Sequence, residues 1–269
     1  MQTETVPHAP PIPKIGFGTW KIGGESSPDP SQDAWSLAAV RSALDLGYTH
    51  FDTAEMYADG RSEILLGRAI REAGVDRAGL FITSKVLPSN LGYERTLRAC
   101  EGSLRRLEMD YLDLYLIHWP VAGMKLEEAF RALNQLVAEG KVRHLGVSNF
   151  DLGLMQRAQA LSATPLLTNQ VPYSLMNRSY VKNGVVAYCQ ANDILVTAYS
   201  PVEEGRLRVN PALAKVAAAH DATPYQIALA WLVQQPRVIT IPMSGNPKHQ
   251  AENLAAGQIV LTETEMGSL

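Results

Sequence analysis

Four side chains with complementary proton chemistry fall within the first half of the chain: Asp52, Tyr57, Lys85 and His118. A carboxylate beside an ammonium holds it in place, and an ammonium beside a phenol favours the phenolate, lowering the tyrosine pKa from about 10. Each unit of lowering is about 1.4 kcal/mol, and a donor nearer working pH is a better general acid. An imidazole beside that hydroxyl could orient a carbonyl oxygen. If Asp52 and Lys85 lie on adjacent strands, the set describes reduction of a carbonyl with Tyr57 giving the proton. Taken singly, each residue has a plainer role. Asp52 could cap a helix, Lys85 could be a rim lysine with a buried stem, His118 a hydrogen-bonded core histidine, and Tyr57 packing with a wetted hydroxyl.

The elements that must position these residues are legible as an alternation. Apolar, β-branched segments recur at 14–19, 48–52, 80–85, 112–118, 142–148, 166–171, 194–199 and 238–242. Several are near-continuous apolar runs, as parallel strands covered by helices require. Between and after them, helical spacing predicts helices over 33–46, 62–73, 94–107, 126–138, 151–161, 178–191, 211–220, 224–235 and 247–256. Glycine stops stand at Gly47, Gly74, Gly140 and Gly257, and prolines near helix starts at Pro224 and Pro247. The pattern predicts one α/β domain, a (β/α)8 TIM barrel over 1–269 with 1–13 as a lead-in. A six-stranded doubly wound sheet with a small second domain is the competing layout, disfavoured by the steady spacing. In a barrel, chemistry gathers at the carboxyl ends of the strands. Those ends read Asp52-Thr53, Ser84-Lys85, His118-Trp119-Pro120, Ser148-Asn149, Asn169-Gln170 and Tyr199-Ser200. So many polar ends at one rim are better explained by a site than by capping.

Composition narrows the function classes. With 24 Lys+Arg against 27 Asp+Glu, the net charge of −3 leaves no electrostatic footprint for nucleic acid or an anionic membrane. No stretch approaches the roughly 18 apolar residues of a membrane span, and the start has no secretory pattern. The two cysteines, Cys100 and Cys189, have no metal or redox spacing and read as buried small hydrophobes in a reducing cytoplasm. The six histidines show no His-x-x-x-His spacing, so no metal is expected. Gly16-x-Gly18 lacks the third glycine of a Rossmann fingerprint, and no Gly-x-Ser-x-Gly string is present.

The chain resembles the aldo-keto reductases over nearly its whole length, short bacterial diketogluconate and methylglyoxal reductases in particular. The resemblance is carried by Gly16-Phe17-Gly18-Thr19-Trp20, Phe51-Asp52-Thr53-Ala54-Glu55-Met56-Tyr57, Thr83-Ser84-Lys85 and the run from Asp113 to Pro120. It continues through Gly146-Val147-Ser148-Asn149-Phe150, Asn169-Gln170-Val171, Ala198-Tyr199-Ser200-Pro201 and Glu252-Asn253. It implies that Asp52, Tyr57, Lys85 and His118 form a catalytic tetrad. Ser148, Asn149 and Gln170 would bond a nicotinamide carboxamide, and Tyr199 would stack on its ring. Thr19, Ser200, Ser244, Asn246, His249, Glu252 and Asn253 would complete the cofactor contacts, while Trp20, Met56 and Trp119 would line the substrate pocket. The implied cofactor is NADP(H), with NAD(H) also admitted, and the implied partner is a small-molecule carbonyl met by a monomer in the cytoplasm. A cofactor-sensing regulatory barrel with little turnover, and alcohol oxidation as the physiological direction, are the alternatives.

Three departures from the family pattern matter. Met243 and His249 stand where the family places a lysine and an arginine around the adenosine phosphate, and neither supplies a permanent charge and bidentate fork. The expectation is NADPH use with weaker discrimination against NADH, supported by Ser244, Asn246, Lys248 and the start of the helix at Pro247. Glu203 and Glu204 would repel a pyrophosphate unless they turn outward or pair with Arg206 or Arg208. The chain stops at Leu269, at the start of the family's final helix, which implies a shallower pocket with broad tolerance for small aldehydes, dicarbonyls or keto-sugars.

Overall fold

The computed structural model describes residues 2–269; Met1 of the lead-in lies outside the described residues. Eight parallel strands form one sheet: β1 (Phe17–Gly18), β2 (His50–Asp52), β3 (Phe81–Val86), β4 (Leu112–Ile117), β5 (Val142–Ser148), β6 (Thr168–Pro172), β7 (Leu195–Tyr199) and β8 (Val238–Thr240). Each pairs with its sequence neighbour. The first and last meet through a parallel bridge of Ile15 with Thr240 and through backbone bonds from Gly16 to Thr240 and from Thr240 to Lys14. The sheet is therefore closed into a (β/α)8 barrel, and the alternative open sheet is excluded.

Helices cover the outside: α1 (Asp33–Asp45), α2 (Arg61–Ala73), α3 (Tyr93–Leu107), α4 (Leu126–Ala138), α5 (Leu152–Leu161), α6 (Ser179–Lys182), α7 (Val185–Ala191), α8 (Pro211–Ala219), α9 (Pro224–Val233), α10 (Pro247–Ala256) and α11 (Glu263–Ser268). Their starts have physical causes. Asp151, Asn210 and Asn246 each accept a backbone N–H of the first turn, and Thr223 with Gln226 makes a reciprocal capping box. The helix expected over 178–191 is two helices. Gly184, at φ 83°, leaves the helical region, and the Asn183 side chain takes the N–H of Val185 to start the second piece.

Two apolar layers result. The larger lies between strands and helices, and the smaller fills the lumen with Phe81, Leu114, Leu116, Leu167, Leu195 and Ile239. Val6 and Ile12 join that inner layer. They belong to the lead-in, which folds as a hairpin pairing Thr3–Glu4 with Ile12–Pro13. Cys100 and Cys189 are buried and unpaired. Among the described residues, no helix is long and apolar enough to cross a membrane.

Helices α2 and α3 approach so closely that a Cβ on Gly67 would stand 2.2 Å from the backbone oxygen of Leu107. Gly67→Ala gains roughly 1 kcal/mol of helix propensity, yet forces two backbones apart at a cost of about 1–3 kcal/mol. We expect the clash to win and thermal unfolding to shift down by a few degrees. A raised Tm would show that α3 yields at no cost.

Candidate active site

The site begins with strand register. Asp52, the last residue of β2, stands opposite Thr83 of β3. Side chains alternate along a strand, so Lys85 projects to the same face as Thr83, one step nearer the rim. Its ammonium is fully buried, and all three N–H bonds have acceptors. Nζ donates to Asp52 Oδ1 at 2.5 Å, to the Thr53 carbonyl at 2.8 Å and to the Tyr57 hydroxyl at 3.1 Å. The other oxygen of Asp52 accepts from Gln170 Nε2 at 2.8 Å. Gln170 thereby reaches across from β6 to the same carboxylate, a link that no local pattern in the sequence signals.

Tyr57 follows β2 in a turn held by unusual backbone. Ala58, Asp59 and Gly60 take φ of 47°, 51° and 81°. The left-handed region costs a non-glycine residue roughly 1–2 kcal/mol, so the first two positions store strain next to the hydroxyl. The Tyr57 ring meets Trp20 edge-on at 5.1 Å and His118 at 5.7 Å between centroids. Asn149 and Ser200, which follow β5 and β7, are also left-handed, at φ 61° and 49°.

Electrostatics assigns protonation states. Burial alone would push Lys85 down, but Asp52 and Tyr57 favour the ammonium and leave its pKa above the ordinary value. Burial raises the Tyr57 hydroxyl above 10, with Lys85 opposing. The lowered tyrosine pKa expected from the sequence is thus corrected, because desolvation of a phenolate in this closed site outweighs the ammonium. Tyr57 is protonated at neutral pH, and Lys85 reduces the cost of its losing the proton. Burial, with Lys85 adding to it, pushes His118 down to about 2, so its ring is neutral. His118 Nδ1 is buried and has no partner among the described residues, so Nε2 is the nitrogen left to meet a substrate oxygen.

These groups open onto a cavity of about 360 Å³. Asp52, Tyr57 and His118 line it, as do Trp20, Met56 and Trp119. Ser148, Asn149, Gln170, Tyr199 and Ser200 line it too, so most of the expected contacts meet in one place. Thr19 does not. It is fully buried, donates to the Asp52 carbonyl and accepts from Ser62, so its part is to brace β2 rather than to face a ligand. Ser244, Asn246, His249, Glu252 and Asn253 lie outside the cavity, past Met243, on the loop before α10 and on α10 itself. Asn246 there is the helix cap. Sequence reasoning missed Gly18, Ile241 and Met243 as cavity walls, which only barrel closure brings round to Tyr57.

The donor set fits the amide end of a nicotinamide cofactor. Gln170 spends its N–H on Asp52, leaving its carbonyl oxygen for a ligand amide, and Ser148 and Asn149 are bonded to one another at 3.0 Å beside it. The two acids after β7 separate. Glu203 accepts from Ser174 at 2.5 Å, and Glu204 stays at the cavity with Arg206 at 3.5 Å.

A sequence model described as "Aldo/keto reductase family" matches residues 14–269. The chain is 39% identical over 264 residues to methylglyoxal reductase YeaE of Escherichia coli (strain K12), covering 96% of this chain and 90% of that one. It is 35% identical over 260 residues to glyoxal reductase of Bacillus subtilis (strain 168), covering 96% and 88%. Among solved structures, the thermostable aldo-keto reductase Tm1743 with the inhibitor epalrestat superposes at a TM-score of 0.95 with 41% identity, covering 99% of this chain and 98% of that one. An aldo/keto reductase of Klebsiella pneumoniae in complex with NADP and acetate gives 0.88 with 40% identity, covering 99% and 93%.

The neutral His118 has a consequence for acid stability. Its folded pKa, about 2, lies below the ordinary 6.5, so the unfolded chain binds a proton that the folded one refuses. The contribution is full above 6.5 and is lost as pH falls, at about 1.4 kcal/mol per unit. Denaturant unfolding at pH 7 and pH 5 is expected to show His118→Asn losing up to roughly 2 kcal/mol less than the parent over that interval. Equal losses would mean that the imidazole takes up its proton in the folded state.

Proposed function

The chain belongs to the aldo/keto reductase family, and from that premise we propose that Tyr57 is the proton donor and Asp52, Lys85 and His118 its supporting groups. The protein is an oxidoreductase that reduces carbonyls with NADP(H). When bound, the reduced nicotinamide supplies the hydride. The observation that carries the residue assignment is the fully satisfied, buried ammonium of Lys85 at 3.1 Å from the Tyr57 hydroxyl.

The neutral His118 ring directs Nε2–H to the carbonyl oxygen and holds it beside the Tyr57 hydroxyl. Tyr57 gives its proton to that oxygen, and Lys85 lies beside the phenolate left behind. Asp52 keeps Lys85 charged, and Gln170 keeps Asp52 oriented. Trp20, Met56 and Trp119 exclude water from the carbonyl and bound the substrate's size. The cofactor's carboxamide would be held by Ser148, Asn149 and Gln170 beside Tyr199, and Ser200, Ser244, Asn246, His249, Glu252 and Asn253 would serve the rest of the cofactor.

Small aldehydes and dicarbonyls are the substrates we assign, with methylglyoxal first. The cavity of about 360 Å³ with aromatic walls supports this, as do relatives named for methylglyoxal and glyoxal reduction. Met243 and His249 leave the adenosine phosphate with Ser244, Asn246, Lys248 and the start of α10, so NADPH is preferred over NADH by a modest factor. The reading includes a monomer in the cytoplasm, in keeping with two unpaired buried cysteines.

Tyr57→Phe is expected to bind NADPH as the parent does, by quenching of protein fluorescence, while turnover of methylglyoxal falls by roughly 100-fold or more. Retained turnover would remove the tyrosine acid. In parallel assays at 340 nm, NADPH is expected to outperform NADH in kcat/KM by about tenfold, about 1.4 kcal/mol. A preference of a thousandfold would show that the uncharged loop suffices for full discrimination.

A further inference from the structure

On the outer face of β3, away from the cavity, two carboxylates and one guanidinium form a cluster that the reaction does not touch. Glu63 of α2 is fully buried. Its Oε1 accepts from Ser84 at 2.5 Å and its Oε2 from Arg106 Nε at 2.6 Å. Glu55 is nearly as buried, and its Oε1 accepts from the Leu87 N–H at 2.5 Å and from Asn90 at 3.1 Å. Its Oε2 lies 4.0 Å from Arg106, and its own N–H donates to the Lys85 carbonyl at 3.4 Å.

These attachments fall on Ser84 and Lys85 of β3 and on Leu87 just past its end, so they bracket Lys85 along the chain. Both carboxylates belong to the segment that carries Tyr57, one before it and one after it. Arg106, from α3, bridges the two. Its stem also seats the strained turn: a Cβ on Gly60 would lie 2.6 Å from Arg106 Cδ. Resting on the roles given above for Tyr57 and Lys85, we propose that Glu55, Glu63 and Arg106 are positioning residues. They clamp residues 55–63 against β3 from outside the barrel and so set the distance between the Tyr57 hydroxyl and Lys85.

A clamp of this kind acts on the reaction without touching it. Loosening it lets the left-handed turn at 58–60 relax and lengthens the 3.1 Å contact. A longer contact weakens the ammonium's support for the phenolate, so Tyr57 becomes a poorer acid. The titratable groups facing Tyr57 are Lys85, Asp52, His118 and Tyr199, and none is altered by changing the clamp. Cys100 and Tyr115 border the cluster, and both stay neutral because burial pushes their pKa values up.

The test compares Arg106→Leu, Arg106→Lys and Glu63→Gln with Asp113→Asn. Asp113 anchors Arg77, Arg143 and the N–H of Ile82 at the other end of β3 and serves as the purely structural control. In Arg106→Leu we expect kcat for methylglyoxal to fall by about tenfold, with KM and the dissociation constant for NADPH within about twofold. The alkaline limb of the kcat profile moves to higher pH. The tyrosinate absorbance of Tyr57, taken as parent minus Tyr57→Phe, moves with it. Arg106→Lys recovers part of kcat, and Asp113→Asn lowers Tm without moving either titration. Should Arg106→Leu fail to fold, Glu63→Gln carries the same test, because it keeps volume and the Ser84 contact. Variants that lose Tm like Asp113→Asn but keep kcat and both titrations would overturn the proposal. The tyrosinate reading needs no turnover, so it judges the clamp even if Tyr57→Phe stays active and the proton-donor role falls.

Discussion

Lys85 holds a full positive charge where no water reaches it, at 0% exposure on the inner side of a closed barrel. An ion so placed costs several kcal/mol unless its charge is matched and its hydrogen bonds are all made. Here an aspartate on the adjacent strand supplies the charge, and a carbonyl and a phenol take the remaining N–H bonds. The phenol that completes the shell is also the group we propose as the proton donor. A requirement of stability and a requirement of chemistry are met by the same three bonds. Strand register between β2 and β3 follows from it, since a slip of one residue would turn Lys85 out of the lumen.

The two ends of the barrel divide the work. At the carboxyl end stand the cavity, the neutral His118 and the left-handed residues Ala58, Asp59, Asn149 and Ser200. At the other end, the hairpin of the lead-in adds Val6 and Ile12 to the inner core, and Asp113 gathers Arg77 and Arg143. Left-handed backbone is not confined to the carboxyl end, since Glu108, Asp193 and Arg237 adopt it in the turns that lead into β4, β7 and β8; what sets Ala58 and Asp59 apart is their place directly after Tyr57.

Much of this was legible in the residues. All eight strands overlap the short β-branched segments read from the sequence, whose brevity and regular spacing between longer helical stretches marked them as strands where the apolar run alone would not. The polar residues at their ends marked the rim, and Asp52, Tyr57, Lys85 and His118 do converge there. Other features depend on distances between residues far apart in the chain. The direction of the Tyr57 pKa needed the extent of its burial, which a list of neighbours does not contain. Thr19 looked like a ligand contact by its place in a motif, yet its hydroxyl is spent on Asp52 and Ser62. Nothing in the sequence marks Glu55 and Glu63 as buried, and only the approach of α3 brings Arg106 between them. The break at Gly184 was missed because apolar spacing continues through it, and a positive φ leaves no mark on periodicity.

Placing the braces of the proton machinery on the outside of the barrel, while loops supply the pocket walls, has an evolutionary consequence. Trp119, Val202 and Glu204 sit on segments between the strands and the α-helices, away from the turn that carries Tyr57, so they can vary without disturbing Asp52, Lys85 or the register that joins them. Such a scaffold is free to drift among carbonyl substrates while inheriting one unchanged acid. A library randomised at those three positions samples new specificities on a frame that keeps its reactivity, whereas mutations under α2 and α3 spend that inheritance.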